Sequence, residues 1–446
     1  MDQRTAPPHP RPVALHAAAC ALDLDRYLRW RRDRDGDPFL LAIPHYGETL
    51  FTGSADGAEE LFRLPPGLST PPLPNPIEPL VGANSLILLS GDRHRRERRL
   101  MMPAFHGDRM REYGRIAVDA ARGEMDHWVP GVPIRVRECA RAITLGVIVR
   151  AVFGVTDPGR RDEYTRAVTG FLSAYGLPLV LAPVLRRPLR GRGPWAKFVA
   201  QRTRFDALLV AEIQSRRERD GAGRCDLLGL LTAARYEDGT GIDGADLVEE
   251  LRTLLVAGHE TTATAVTWAL CHLHREPRVR ARLLAELDDL GRDPGPDELD
   301  AAPYLGAICQ EVLRLHPSVP VVLRRLTGPG AVRGVSLEAG DTAGVALSLL
   351  HSDPRVFPDP ARFDPNRFLG RRYSPHEYAP FGGGNRRCVG AAFAGYEMRM
   401  VLGTIMTQAR LRMPDRDRRR PPPAAVPHDI ATGPRRPVVL DYLGPR

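Results

Sequence analysis

The amino-acid sequence predicts a mainly α fold with small β-sheets, an α+β arrangement in one large unit. Three observations carry that expectation. Helical patterns dominate from Gly91 to about Tyr175, again from about Phe198, and over a long apolar run from Asp246 to His274. Strand-like alternation is confined to patches such as PFLLAIP, ETLFTG and VPVVLRRLT. No internal repeat and no clear linker divides the 446 residues.

Taken in order, residues 1–20 read as a flexible proline-rich arm and residues 21–446 as a single domain. The apolar run near the start is broken by His16 and followed by DLDRYLRWRRDRD, which suits an arm better than a cleaved signal peptide. PFLLAIP and ETLFTG give strands before Phe62. LPPGLSTPPLPNPIEPLVGANSLILLS, residues 64–90, is a loop whose length marks it as functional. GLPLVLAPVLRRPLRGRGPW, residues 176–195, breaks the helices a second time. The run from Asp246 has Asp243 as its N-cap and Pro277 just past its end. A helix over 304–316 stops at Pro317. VPVVLRRLT and AGDTAGVALSLL then read as strands, and HSDPRVFPDPARFDPNRF as a proline-studded meander. A last helix runs to about 409, with a weak strand signal at 437–442.

Composition narrows the function classes. Hydrophobic residues make up 43% of the chain, enough for a large core. Formal net charge is +9, carried almost wholly by arginine, with Lys197 the single lysine. Such a balance suits nucleic acid, an anionic surface or an acidic partner. No zinc finger, basic zipper or RNA-binding aromatic signature accompanies it, which argues against nucleic acid. Six cysteines (Cys20, Cys139, Cys225, Cys271, Cys309, Cys388) lie far apart, with no C-x-x-C pair. That argues against a disulfide scaffold or structural zinc and fits a reducing cytoplasm. No stretch reaches the ~18 apolar residues of a membrane span, so a soluble protein without an integral anchor is expected.

The most informative stretch is PFGGGNRRCVGAAFAGYEM, residues 380–398. Three glycines let the backbone turn tightly and lie against something flat. Cys388 sits at a helix start, where free N–H groups and the dipole favour a thiolate. Gly390 leaves one side of the sulfur uncrowded, and Arg386 adds charge nearby. A buried structural cysteine is the plain alternative. A phosphate loop fails, because neither G-K-[ST] nor a strand-to-helix G-x-G-x-x-G is present. A thiolate ligand to haem iron fits. The pattern F-G-x-G-x-R-x-C-x-G is matched by Phe381, Gly382, Gly384, Arg386, Cys388 and Gly390. On these residues the sequence closely resembles the cytochrome P450 family, and the resemblance extends over nearly the whole chain from about residue 36. It implies that family's fold, with haem between the long central helix and the helix after the cysteine loop.

Other segments carry the same resemblance. Glu311 and Arg314 in EVLR share a helix face. The family's E-x-x-R meets a meander arginine, here Arg367, in a structural trio. LLVAGHETTATAV places glycine and threonines in mid-helix, where a threonine hydroxyl can bond back to a carbonyl four residues earlier. His259 and Glu260 begin an H-E-x-x-H zinc pattern, but position 263 is Ala263, so zinc is rejected. The stretch resembles the family's A-G-x-[DE]-T motif through Ala257, Gly258, Glu260 and Thr261. That implies a hydroxyl and a carboxylate serving the proton supply of dioxygen cleavage. His94 and Arg98 lie four apart on one helix face. The resemblance makes them partners of the haem propionates, with Arg324 and Arg386 completing the clamp. Arg324 is preferred to Arg325 by its distance from Thr327. Arg93, Arg95, Arg96 and Arg99 read as a solvated face that can also receive an acidic redox partner.

The resemblance implies a haem-thiolate monooxygenase with haem b and O2 as co-substrate, inserting one oxygen atom into a C–H or C=C bond. The chain has no dinucleotide fingerprint and no iron–sulfur cysteine cluster. Electrons are therefore expected from a ferredoxin or flavodoxin with its NAD(P)H reductase, as in the bacterial soluble branch, in the cytoplasm and in secondary metabolism. Val256, Ala257, Val319, Val322 and Ile430 are the candidate pocket residues. Their aliphatic character points to a lipophilic substrate of terpenoid, fatty-acyl or polyketide type. A peroxide-driven haem enzyme is the rival, which Glu260 and Thr261 argue against. A non-catalytic haem binder is the other.

Overall fold

The computed structural model describes residues 13–43, 46–107, 109–187, 191–218, 226–428 and 430–446. The arm expected over residues 1–20 falls partly on residues the structure does not describe. Residues 1–12 lie outside the described residues, but from Val13 the chain is helical, α1 spanning Val13–Asp35 with a kink at Asp23. The alanine-rich HAAACAL has high helix propensity, which the prolines before it lack. Strands β1 (Phe39–Ile43) and β2 (Gly47–Thr52) pair as an antiparallel hairpin. Helix α2 (Ala55–Phe62) starts at Ser54, whose hydroxyl accepts from the Gly57 N–H. The proline-rich segment holds only β3 (Ser69–Thr70) and the single turn α3 (Glu78–Val81).

The first helical block comprises α4 (Gly91–Met101), α5 (Arg109–Met125), β4 (Pro133–Arg135), α6 (Val136–Val147) and α7 (Pro158–Ala174). Helix α6 runs on into a π turn, Ile148–Val152. The second expected break carries α8 (Leu177–Leu181), and the helices resume with α9 (Pro194–Glu218) and α10 (Leu227–Ala233). Helix α11 (Gly244–Arg275) begins on the expected cap, the Asp243 carboxylate accepting from Ala245 N–H at 3.3 Å. Then come α12 (Pro277–Asp289), α13 (Pro296–Ala301) and α14 (Pro303–Leu315).

Strands β5 (Val321–Leu326), β6 (Gly330–Val332), β7 (Val335–Leu337) and β8 (Thr342–Ala346) follow. The expected strand AGDTAGVALSLL ends early, because Leu347–Leu350 turn helical as α15. After the meander come α16 (Ala391–Gln408), β9 (Ala409–Arg412), α17 (Asp415–Arg419), β10 (Ala425–His428), β11 (Ala431–Pro434) and β12 (Val439–Pro445). The main sheet has the order β1-β2-β8-β5-β3, with β2 and β8 parallel. Smaller sheets pair β4-β12-β9, β10-β11 and β6-β7.

Helix α11 is buried on nearly every face from Leu247 to His274, packed by α6, α9, α14 and α16. A helix apolar all round belongs at the centre of a large core. Helix α16 packs on both α5 and α11, so the helix after the cysteine loop meets the central helix directly. Glu397 of α16 is buried, and neither of its oxygens has an aligned donor among the described residues. Burial pushes its pKa from 4.5 up to about 8, with the nearby Thr262 hydroxyl pulling the other way. A carboxyl raised in the fold contributes fully below pH 4.5, and that contribution is lost as pH rises toward 8. Glu397→Gln is therefore expected to match the parent in acid and to become the more stable protein as pH approaches 8. The gap should reach roughly 2–3 kcal/mol, because buried carboxyls feel an effective dielectric above that of a dry interior. Urea midpoints measured across pH check this; a gap that does not change with pH would contradict it.

Candidate active site

The loop ahead of α16 is shaped by its glycines. Gly382 and Gly384 adopt positive φ, 67° and 65°. Gly384 lies so close to the end of α2 that a Cβ would sit 2.0 Å from the Phe62 carbonyl oxygen. The Cys388 N–H donates to the Phe381 carbonyl at 2.9 Å, closing the loop on itself. Gly390 caps α16, and a Cβ there would meet nothing within 4 Å. The thiol between them is accessible yet recessed. Desolvation pushes the Cys388 pKa up, against the Gly390 N–H, Arg98 and Arg387. The charge near sulfur thus comes from Arg98 and Arg387, where the sequence pointed to Arg386. These groups do not outweigh burial, so ionising this thiol calls for a stronger cation, which a ligated metal provides.

Arg386 is turned elsewhere: its guanidinium donates to the carbonyls of Leu86, at 3.4 Å, and Leu89. Arg324 is buried and donates to the carbonyls of Leu323, at 2.9 Å, and Gly383, at 3.3 Å. Arg325 beside it is exposed and bonds the Leu73 carbonyl. Burial lowers Arg324 to about 10; burial with Arg324 and Arg98 does the same to Arg386. His94 is lowered to about 4 by burial and then by Arg386, Arg98 and Arg324. Among the described residues no carboxylate pairs with Arg98, Arg324 or Arg386. A cluster of guanidinium groups without acid partners among the described residues, two of them oriented by backbone carbonyls, fits a ligand with two carboxylates. Together with the recessed thiol, this donor set suits a porphyrin with two propionates.

On α11 the Thr261 hydroxyl donates to the Ala257 carbonyl at 2.6 Å, and the Ser318 hydroxyl donates to the Thr261 carbonyl at 3.0 Å. Gly258 presses on the π turn, where a Cβ would come within 2.9 Å of Ile148 Cδ1. Glu260 is buried; Arg137 pairs with Oε1, and Arg141 Nε lies 3.1 Å from Oε2. His259 Nδ1 meets Thr144 Oγ1 at 2.8 Å. Burial, Arg141 and Arg137 push that imidazole down to about 3, so it stays neutral. Sequence reasoning found Glu260 but missed both arginines. They lie on α6, with Arg137 123 residues before Glu260, and no local spacing connects them.

A small void of about 30 Å³ lies against this stretch. Leu80, Leu172, Tyr175, Val256 and Ile430 form its apolar wall, and Arg141, His259 and Glu260 its polar end. Tyr175 also donates its hydroxyl to the Pro76 carbonyl, tying the end of α7 to the 64–90 loop. Of the five pocket residues taken from sequence, Val256 and Ile430 line this void, and Ala257 adjoins it in the chain. Val319 is exposed, and Val322 packs beside the sheet core, 3.7 Å from where a Gly382 Cβ would be.

Beneath lies the trio read from sequence. Arg314 Nε and Nη2 meet the two Glu311 oxygens at 2.7 and 2.8 Å, and Arg367 Nε meets Oε1 at 3.2 Å. Glu311 and Arg314 are fully buried. The arginines on the outer face of α4 are not free. Arg93 pairs with Asp246 and Arg96 with Asp238, both at 3.0 Å, while Arg95 and Arg99 pair with Asp92 and Glu237.

The cytochrome P450 family model matches residues 48–439. Cytochrome P450 135B1 of Mycobacterium tuberculosis is 37% identical over 390 residues, covering 86% of this chain and 81% of that protein. Cytochrome P450 138 of the same organism is 35% identical over 373 residues, covering 83% and 79%. Among solved structures, the retinoic-acid-bound cyanobacterial CYP120A1 matches with a TM-score of 0.80 at 24% identity, covering 93% of each chain. No helix among the described residues is long and apolar enough to cross a membrane. A family match of that extent, over a chain whose cysteine loop, central helix and buried Glu311–Arg314 pair stand where the motifs put them, makes this chain a member of the cytochrome P450 family, a haem-thiolate monooxygenase.

Proposed function

We propose that the enzyme oxidises a lipophilic small molecule of terpenoid, fatty-acyl or polyketide type at a C–H or C=C bond, with haem b ligated by Cys388. The observation that carries this reading is the accessible thiol close to a cluster of guanidinium groups for which no carboxylate partner is found among the described residues. When bound, the haem supplies reductive activation of O2. The chain's own residues do the rest. Arg98, Arg324 and Arg386 bind the propionates, and neutral His94 adds a hydrogen bond without further charge. Phe381, Gly382 and Gly390 keep the backbone flat around the sulfur. Thr261 holds a proton at Oγ1 on the inner face of α11, ready to leave the Ala257 carbonyl. Glu260 resupplies it, its ion pairs with Arg137 and Arg141 opening toward partly accessible guanidinium groups. Val256 and Ile430 shield the reacting carbon from water.

Electrons come from a ferredoxin or flavodoxin and its NAD(P)H reductase in the cytoplasm, and secondary metabolism is the setting. The retinoic acid bound by the cyanobacterial relative belongs to the same chemical class. The test is a titration of the ferric holoprotein with a panel of terpenoids, fatty acids and polyketides, read by the Soret spin-state shift. It is followed by turnover with ferredoxin, reductase and NADPH. Shifts for several members and oxygen-dependent products are expected. No shift across the panel, or product with hydrogen peroxide alone, would overturn the reading.

A further inference from the structure

About three turns before Thr261, α11 sets three polar side chains against one stretch of the long loop. Glu249 Oε2 accepts from the Asn84 N–H and Glu250 Oε1 from the Leu86 N–H, both at 2.7 Å. The Thr253 hydroxyl lies 2.7 Å from Ser85 Oγ. The stretch also closes on itself, because the N–H groups of Leu88 and Leu89 both donate to the Ser85 carbonyl, at 2.8 and 3.0 Å. Its other side faces the cysteine loop, where the carbonyls of Leu86 and Leu89 accept from Arg386. Leu86 therefore has its N–H on the central helix and its carbonyl on a guanidinium of the cluster. Glu250 is buried, as is Leu86. No cation pairs with Glu250 among the described residues, and its Oε2 has no hydrogen-bond partner there. Burial pushes its pKa from 4.5 up to about 8; the Leu86 N–H pulls it down, and Glu97, Asp246 and Glu249 push it further up. At neutral pH it is an uncharged carboxyl whose hydrogen bond goes to Leu86. Burying a polar group is costly, and here that cost secures one backbone N–H of a loop that carries Arg386.

We propose that Glu250 is a positioning residue for the haem: it holds Leu86, and through the Leu86 carbonyl it fixes the Arg386 guanidinium that meets a propionate. The inference rests on the proposed role of Arg386 and assigns a residue of the central helix that serves the cofactor without touching it. Glu249 and Thr253 hold the neighbouring Asn84 and Ser85, so the loop stays attached to α11 when Glu250 changes. What is lost is the placement of one of the two carbonyls that orient Arg386. The guanidinium then spends less of its time in the geometry that a carboxylate requires.

The experiment follows transfer of haem from the ferric holoprotein to excess apomyoglobin. Glu250→Leu keeps the bulk of the side chain and removes the acceptor. Glu250→Gln keeps an oxygen for the Leu86 N–H and, like the neutral carboxyl, carries no charge. Glu250→Leu is expected to release haem roughly tenfold faster than the parent, the effect of one buried donor left unpaired, and Glu250→Gln to stay close to the parent. In an Arg386→Leu background, Glu250→Leu should add nothing, because the guanidinium it positions is gone; a general loss of packing would add equally in both backgrounds. If Glu250→Leu yields no folded holoprotein, hydrogen exchange decides. The Leu86 amide should then exchange faster in the Arg386→Leu holoprotein than in the wild type, since the two side chains hold one residue from opposite sides. Unchanged release by Glu250→Leu, equal effects in both backgrounds, a Glu250→Gln variant as leaky as Glu250→Leu, or unchanged exchange at Leu86 overturns the inference. Where Arg386→Leu speeds haem release in these cases, the propionate role of Arg386 stands and the inference alone fails. Where Arg386→Leu leaves haem release unchanged, that role and the inference fail together.

Discussion

The Cys388→Ser variant is expected to give a reduced carbon monoxide complex without the red-shifted Soret band of a thiolate-ligated haem, and oxygen-dependent turnover should fall by several orders of magnitude. Sulfur and oxygen differ little in size, so the loop should survive the exchange. Its shape is set by the positive φ of Gly382 and Gly384 and by the Cys388 N–H bond to Phe381, none of which involves the side chain. What changes is the ligand. A thiolate is a soft, strongly donating axial ligand that favours O–O cleavage, and an alcohol is not. Desolvation already opposes ionisation of the thiol, and a serine hydroxyl, a much weaker acid in the same recess, would remain neutral. Two readouts separate the roles. Haem content reports on the guanidinium cluster, which the substitution leaves alone, and the carbon monoxide band reports on the ligand. A variant that kept the red-shifted band would show that another group holds the iron.

The parts of the site that the sequence disclosed are those built from neighbours along the chain. Cys388 and its glycines are one loop. Asp243 caps the helix it precedes, and Thr261 bonds back to Ala257 within a single turn. Glu311 and Arg314 are three residues apart on one helix. What stayed hidden joins distant segments through packing alone. Arg137 and Arg141 reach Glu260 only because α6 lies along α11. Arg98 and Arg387 rather than Arg386 supply the charge felt at the sulfur, while the carbonyls of Leu86 and Leu89 in the long loop hold the Arg386 guanidinium. Strands β4, β9 and β12 are short, and their pairing depends on register with remote partners more than on periodicity. Helix α1 follows a proline-rich start, and its helix propensity resides in the alanine-rich HAAACAL beyond those prolines.

Removing the charge at the centre of the Glu311 trio should cost the fold itself. Glu311→Gln keeps the size of the side chain but replaces one acceptor oxygen by an NH2 group facing Arg314 or Arg367. Four bonds converge on this carboxylate, two from Arg314, one from Arg367 and one from the Asp364 N–H at 2.8 Å. Without it two guanidinium groups stay in the interior uncompensated, one of them fully buried. Breaking a buried pair in this way costs about 3–5 kcal/mol, against a total stability on the order of 5–15 kcal/mol. Arg314 also donates to the carbonyls of His351, Pro360 and Arg362. Its loss of anchorage would therefore spread into the meander that leads to the cysteine loop. The exposed pair Arg99–Glu237 is the control, since Glu237→Gln should change stability by about 0–1 kcal/mol. Urea midpoints of the holoproteins make the comparison. If the damage comes from stranded charge rather than lost shape, Glu311→Gln combined with Arg314→Met should be less harmful than the two single effects added together, because the second change removes a cation the first left without a partner. Strict additivity would instead mean that the trio holds the meander through its backbone contacts, with the carboxylate contributing only as one more acceptor.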